Sequence, residues 1–256
     1  MTALESRHRR LNPSLFPLED VVNESIGFLR QHEPPEGYFV GFSGGKDSIV
    51  TLELCRMAGI KHQAFYSATG IDPPEVVKFI RREYPEVTFL RPKMTFWEGT
   101  RRNGPPLRIR RWCCDTLKKS PSKHIPLKHR VMGIRAEESF KRASRPRVDQ
   151  YNGKQILYKP ILGWAEWHVW DFIEYRGLAY PSLYDEGFGR IGCVICPFIV
   201  GPGPATQKRL QRAKDRWPAI FRIFEKVVTE WFCTKRWQKG CKSPEEYLAA
   251  YYRGFE

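Results

Sequence analysis

Apolar positions along this chain come in short packets whose spacing changes from helical to strand-like and back. Val21, Val22, Ile26 and Leu29 fall on one helical face, and Pro34-Pro35-Glu36-Gly37 ends that helix. Tyr38 to Phe42 is a continuous apolar run of strand length. It breaks at Ser43-Gly44-Gly45-Lys46-Asp47-Ser48, and a helical pattern resumes through Ile49, Val50, Leu52 and Leu54 to about Ala58. A second strand reads near Gln63 to Ser67, which completes a βαβ unit and requires parallel pairing with a right-handed crossover. A helix follows to about Tyr84, then strands at Val87 to Leu90 and Val131 to Arg135, and a helix at Trp167 to Tyr175. Arg101 to Pro106 reads as a basic loop broken at Gly104-Pro105-Pro106, and from about Gly201 the pattern is mostly helical. The expected fold class is α/β, an open, mostly parallel sheet with flanking helices and a C-terminal mostly helical element. The expected segments are a helical leader (1–36), a nucleotide-binding and cysteine-bearing domain (37–200) and a basic helical element (201–256).

In an open α/β sheet, ligands sit beyond the carboxyl ends of the strands. The loop after Phe42 and the loop after Ser67, which carries Thr69 and Gly70, should therefore flank one pocket. Ser43 to Ser48 has the make-up of a phosphate site: glycines let backbone amides approach an anion, the following helix supplies its N-terminus, and Lys46 adds a full charge. Asp47 stands between Lys46 and Ser48, which departs from the Walker A loop, where Ser or Thr follows the lysine directly. The bland alternative is a glycine-rich strand-to-helix turn with no ligand.

Charge adds a second theme. The 256 residues carry a formal +15, concentrated in blocks such as Arg108-Ile109-Arg110-Arg111, Lys118-Lys119 and Lys208-Arg209. A polyanionic partner, nucleic acid, fits that excess; solvated faces around one nucleotide site are the alternative. Trp164, Trp167, Trp170, Trp217, Trp231 and Trp237 are expected to serve packing. No run of transmembrane length and no signal-like leader is evident, so a soluble cytoplasmic protein with no membrane association is expected; a homodimer stays open.

Seven cysteines in such a chain argue for metal or redox use rather than a disulfide framework. Cys113-Cys114 and Cys193-Val194-Ile195-Cys196 form two close pairs, and four thiolates suit a 4Fe-4S cluster or a structural zinc. Cys55 lies on the first-loop helix beside Leu52 and Leu54 and reads as packing. Cys233 and Cys241 read either as sulfur carriers or as ordinary surface residues.

Ser43-Gly44-Gly45-Lys46-Asp47-Ser48 resembles the signature of the PP-loop ATP pyrophosphatases. Thr69-Gly70 with Glu75, Arg111-Trp112-Cys113-Cys114-Asp115-Thr116-Leu117-Lys118, Gly133-Ile134-Arg135-Ala136-Glu137-Glu138-Ser139 with Arg142, and Tyr180-Pro181-Ser182-Leu183-Tyr184 are similar to motifs of the phosphoadenosine phosphosulfate reductase branch. The resemblance covers about Tyr38 to Phe198; Ala68 departs from it, standing where an acidic residue is common. It implies a Rossmann-like fold of the adenine nucleotide alpha hydrolase kind and cleavage of ATP to AMP and pyrophosphate. Ser43, Lys46, Asp47 and Arg135 would be catalytic. Ser43 to Ser48, Ser67, Thr69, Gly70, Gly133 and Arg142 would bind nucleotide, with Asp47 on Mg²⁺. Cys113, Cys114, Cys193 and Cys196 are similar to the ligands of cluster-bearing members. True sulfonucleotide reductases of the branch generally lack the Lys-Asp pair, and neither Cys233 nor Cys241 matches their C-terminal cysteine segment. The expectation is therefore adenylation of a nucleic acid for sulfur transfer, as in DNA phosphorothioation proteins of the DndC and SspD type, with a cysteine desulfurase as sulfur donor. DNA is expected over tRNA. Thiolation of tRNA, sulfonucleotide reduction or another sulfate-assimilation step, and a non-catalytic nucleotide-sensing module are the alternatives.

Overall fold

The fold is that of a computed structural model describing residues 17–151, 155–234 and 240–255. Six strands form one sheet in the order β3-β2-β1-β4-β6-β5: β1 Tyr38–Gly41, β2 His62–Ser67, β3 Thr88–Leu90, β4 His129–Met132, β5 Val148–Tyr151 and β6 Gln155–Tyr158. β1 pairs in parallel with β2 (Tyr38 opposite His62) and with β4 (Gly41 opposite Met132), and β4 runs parallel to β6. β5 is antiparallel to its neighbour, pairing Val148 with Tyr158. This is a mostly parallel α/β sheet with flanking helices. The apolar run of β1 is what such a strand needs, since both faces are covered: Tyr38, Phe39 and Val40 are all buried.

The helices are α1 Leu18–Gln31, α2 Lys46–Ala58, α3 Pro74–Glu83, α4 Phe96–Asn103, α5 Phe140–Ala143, α6 Glu166–Arg176, α7 Pro204–Arg216, α8 Pro218–Cys233 and α9 Pro244–Arg253. Proline opens each of α7, α8 and α9, where its missing N–H costs nothing. The chain folds into two compact units interleaved along the sequence. The first comprises Met1–Tyr66, Lys78–Thr88 and Ile125–Arg190; the second comprises Ser67–Val77, Phe89–His124 and Ile191–Glu256.

Three local readings are corrected. The expected loop at Arg101 is helical to Asn103, because Thr95 and Glu98 form a reciprocal capping box and Phe96, Gly99 and Thr100 bury one face of α4. The strand expected over Val131–Arg135 is His129–Met132. Beyond it Gly133 approaches α2 so closely that a Cβ there would lie 2.6 Å from the Asp47 carbonyl oxygen. Strands β5 and β6 have no counterpart in the sequence pattern described above. Trp164 and Trp217 are buried as expected, and Cys55 is fully buried among the α2 core residues; Trp237 lies outside the described residues.

Candidate functional site

In the first unit, β1 delivers the chain into the loop and α2 carries it away. Gly44 sits at φ +72°, a left-handed conformation that a side chain would strain. Ser48 staples the loop shut. Its hydroxyl donates to the Gly45 carbonyl (2.8 Å) and accepts from the Ser43 N–H and the Ser43 hydroxyl (each 3.1 Å). Ser48 is buried, whereas Ser43 faces solvent, so Ser43 is presented and Ser48 shapes.

Lys46 starts α2 and is only 3% exposed. Its ammonium donates to the Gly189 carbonyl (3.0 Å), pairs with Glu166 (3.0 Å) and lies over the Tyr184 ring (5.3 Å). Its backbone N–H, one of the unpaired amides at a helix start, donates to the Tyr184 hydroxyl (2.9 Å). Two cationic or N–H groups of the loop are thus satisfied by protein oxygens, which stand where anionic oxygens could replace them. Asp47 is held by Arg135, whose Nε donates to Asp47 Oδ1 at 2.5 Å. Arg135 also pairs with Glu137, and its backbone N–H donates to Glu138. Burial works against charge on Arg135, but Asp47 and Glu137 outweigh it and keep the guanidinium firmly protonated. Arg142 is half-buried and paired with Glu138, with Arg190 4.0 Å from the same carboxylate. Burial and then Arg190 pull its pKa down.

The second unit gathers the four cysteines named from sequence. Cys113 is buried, and Cys114, Cys193 and Cys196 are half-buried. Cys113 donates to Cys114 and senses the charges of Cys193 and Cys196; this bond and burial raise its own pKa. Cys114 is lowered by that hydrogen bond and by Lys118 and Arg111. Burial pushes the Cys193 thiol up to about 12. Lys118 is an exposed residue, yet its ammonium faces Cys193 and Asp72, and Cys193 above all holds its pKa above the usual lysine range. Ser67, Thr69 and Gly70 fall in this unit too. The Thr69 hydroxyl donates to Asp72 (2.7 Å) and lies 3.8 Å from Cys193, and the Ser67 hydroxyl donates to the Lys118 carbonyl (3.0 Å). The Lys118 carbonyl belongs to a π-helical turn, Cys114–Lys119.

Four soft thiols with cations beside them fit a cluster, whose net negative charge Lys118 and Arg111 would offset. Zinc needs sulfurs within roughly 4 Å of one another, given Zn–S bonds of about 2.3 Å. Among the described residues no group of three or more His, Cys, Asp or Glu is drawn together tightly enough to hold a metal ion as the side chains stand. For Mg²⁺ the loop offers one carboxylate, Asp47, with Oδ1 already paired, so the phosphates of a nucleotide would have to supply the other oxygens.

Residues 37–198 match the model of the phosphoadenosine phosphosulfate reductase domain. The chain belongs to that family. An uncharacterized protein of Methanocaldococcus jannaschii is 31% identical over 229 residues, covering 84% of this chain and 46% of the relative. The chain thus spans about half the length of the curated relatives it matches first. The phosphoadenosine 5'-phosphosulfate reductase of Gloeobacter violaceus is 29% identical over 66% of this chain and 76% of the relative. In fold, the chain is similar to the phosphoadenylyl-sulfate reductase of Candida auris, solved as a phosphate complex. The TM-score is 0.54 at 17% identity, covering 72% of this chain and 97% of that one.

Within this chain, Ser43 to Ser48, Gly133, Arg135 and Arg142 fall in one unit, and Ser67, Thr69, Gly70 and the four cysteines in the other. Sequence reasoning missed Glu166 and Tyr184 on Lys46, and Asp72 and Lys118 on Cys193. Asp72 was findable as a polar residue two places beyond Gly70; Glu166 carried no local signal, being 120 positions from its partner. Among the described residues no helix is long and apolar enough to cross a membrane.

Proposed function

We propose that this chain cleaves ATP between the α and β phosphates at Ser43 to Ser48 and passes the adenylyl group to an oxygen of a nucleic acid, a DNA backbone phosphate first, for replacement by sulfur. The observation that carries the reading is the pairing of an intact Lys46-Asp47 step with a serine-stapled glycine loop, Asp47 being gripped by Arg135 at 2.5 Å. The acceptor oxygen attacks the α-phosphorus, the bond to the bridging oxygen breaks, and pyrophosphate leaves. Lys46, exchanging Glu166 for phosphate, takes up the charge that develops on it. Arg135 fixes Asp47, which with the ATP phosphates would hold Mg²⁺ for charge neutralisation. Arg142 and Arg190 offer bidentate donors for acceptor phosphate.

Sulfur then arrives as the terminal atom of a persulfide from a cysteine desulfurase. It attacks the activated phosphorus, AMP leaves with the bonding pair, and a second thiol reduces the remaining S–S bond by two electrons. Cys113, Cys114, Cys193 and Cys196 would hold a 4Fe-4S cluster, which when bound supplies a centre for sulfur or electron delivery. Sulfonucleotide reduction is the second reading, favoured by the name of the Gloeobacter relative. One experiment separates them. The purified protein is incubated anaerobically with ATP, radiolabelled cysteine, a cysteine desulfurase and either duplex DNA or tRNA, beside a reaction given adenosine phosphosulfate and reductant. Label in DNA supports the proposal, label in tRNA moves the acceptor, and sulfite release without label in either replaces the proposal with reduction.

A further inference from the structure

Ile109 is 94% exposed, at the tip of a turn rather than in a core. The Leu107 N–H donates to the Arg110 carbonyl (3.2 Å) and the Arg110 N–H returns to the Leu107 carbonyl (3.1 Å), which closes a tight turn with Arg108 and Ile109 at its apex. The turn is braced on both sides. The Arg108 guanidinium donates to the Pro197 and Val200 carbonyls (3.2 and 2.7 Å), and Arg110 donates to the Asn103 carbonyl (2.6 Å) at the end of α4. Beside it Phe198 is 51% exposed, with the Arg111 guanidinium 5.2 Å and that of Arg108 6.0 Å from its ring centre. A rigid apolar tip ringed by arginines therefore projects from the second unit. That unit holds 22 lysines and arginines against 10 aspartates and glutamates.

An exposed isoleucine is unremarked when isolated, but here it is fixed by three side-chain hydrogen bonds to backbone carbonyls and flanked by charge of one sign. We infer that this turn is a nucleic-acid wedge: Ile109 enters between two bases and unstacks them, while Arg110 and Arg111 lie against the flanking phosphates. Apolar wedges flanked by basic residues kink duplexes in this way, and the phosphate contacts supply salt-dependent affinity. The assignment rests on the nucleic-acid reading of the proposed function and adds where the partner is gripped and how it is opened. Lipid headgroups are the other polyanion such a tip could meet. A single short turn offers far less apolar area than an interfacial helix, which favours nucleic acid.

The test uses the full chain and an aminopurine-containing duplex, whose fluorescence rises when the probe base unstacks, together with anisotropy across a salt series. The unchanged protein is expected to bind and to raise the fluorescence. Ile109→Ser should lose the rise and weaken binding about tenfold with the salt slope unchanged. Arg110→Gln should lower the slope by about 1, and Ile223→Ser, a change at a half-exposed α8 position, should alter neither readout. Binding by the unchanged protein that Ile109→Ser leaves intact, fluorescence included, overturns the wedge and leaves the nucleic-acid reading standing. No binding by the unchanged protein to duplex or single strand overturns both. Ile109-dependent binding to phosphatidylserine vesicles with none to duplex reassigns the turn to a lipid surface and also overturns the inference.

Discussion

The first unit carries 21 lysines and arginines against 18 acids and the second 22 against 10, so +12 of the chain's +15 belongs to the second. The difference is one of task. In the first unit each of these cations around the loop has an acidic partner: Lys46 has Glu166, Arg135 has Asp47 and Glu137, and Arg142 has Glu138. On the proposed function, paired charges of this kind would hold the reacting groups in place before the substrate arrives, and a phosphate would exchange for the half-exposed Glu166. The second unit keeps a net field and a set of thiols instead, which suits a long polyanion and soft-ligand chemistry. Preorganisation and attraction are thus allotted to different parts of the chain.

The largest expected effect comes from a close approach of backbone to backbone in the first unit. A Cβ at Gly133 would lie 2.6 Å from the Asp47 carbonyl oxygen and 2.9 Å from the Thr51 hydroxyl oxygen. Since backbone must shift to admit it, Gly133→Ala should cost roughly 1–3 kcal/mol and, by displacing Asp47, about a hundredfold in ATP turnover. Steady-state kinetics beside a denaturation curve measures both. Arg135→Ala should come next. It leaves Asp47 unpaired and costs about 3 kcal/mol, the low end for a broken buried pair because Asp47 keeps some solvent contact. Urea unfolding reads that cost, and Arg135→Lys should recover only part of it, since the lysine lacks the guanidinium fork.

Glu166→Gln should act in the opposite sense. Freed from its half-exposed partner, Lys46 meets phosphate without competition, and the KM for ATP should fall about twofold to fivefold. An unchanged KM would mean that Lys46 does not exchange partners. The smallest effect is a pH dependence. Burial raises Cys55 from 9.0 to about 12 and Tyr84 from 10.0 to about 12. The unfolded chain therefore loses these protons first, so the stability they contribute is complete below about pH 9 and lost as pH rises toward about 12. Calorimetry should show the melting midpoint falling across that window, and Cys55→Ala should flatten the fall.

Much of the first unit is legible in the sequence because its signals are local. β1 is an uninterrupted apolar run, the loop is a dense cluster of Gly, Lys and Ser, and α2 follows at once. β5 and β6 escape such a reading because four residues such as Val148-Asp149-Gln150-Tyr151 give too short an alternation to separate from loop. α4 reads as a loop because Gly104-Pro105-Pro106 dominates the window, although Thr95 and Glu98 spell the capping box that begins it. Tyr184 and Gly189 meet Lys46 across 138 and 143 positions, a closeness that only the tertiary fold produces. The cysteine pairs are visible as pairs; that Asp72 and Lys118 attend Cys193 is not.

Anaerobic incubation of the full chain with α-labelled ATP and Mg²⁺, with and without duplex DNA, and separation of AMP from ADP bear most directly on the loop assignment. Formation of AMP and pyrophosphate, lost in Asp47→Ala while its fold persists, is the predicted result. Retention of AMP formation in Asp47→Ala, or ADP or no product from the unchanged protein under every condition, would contradict it.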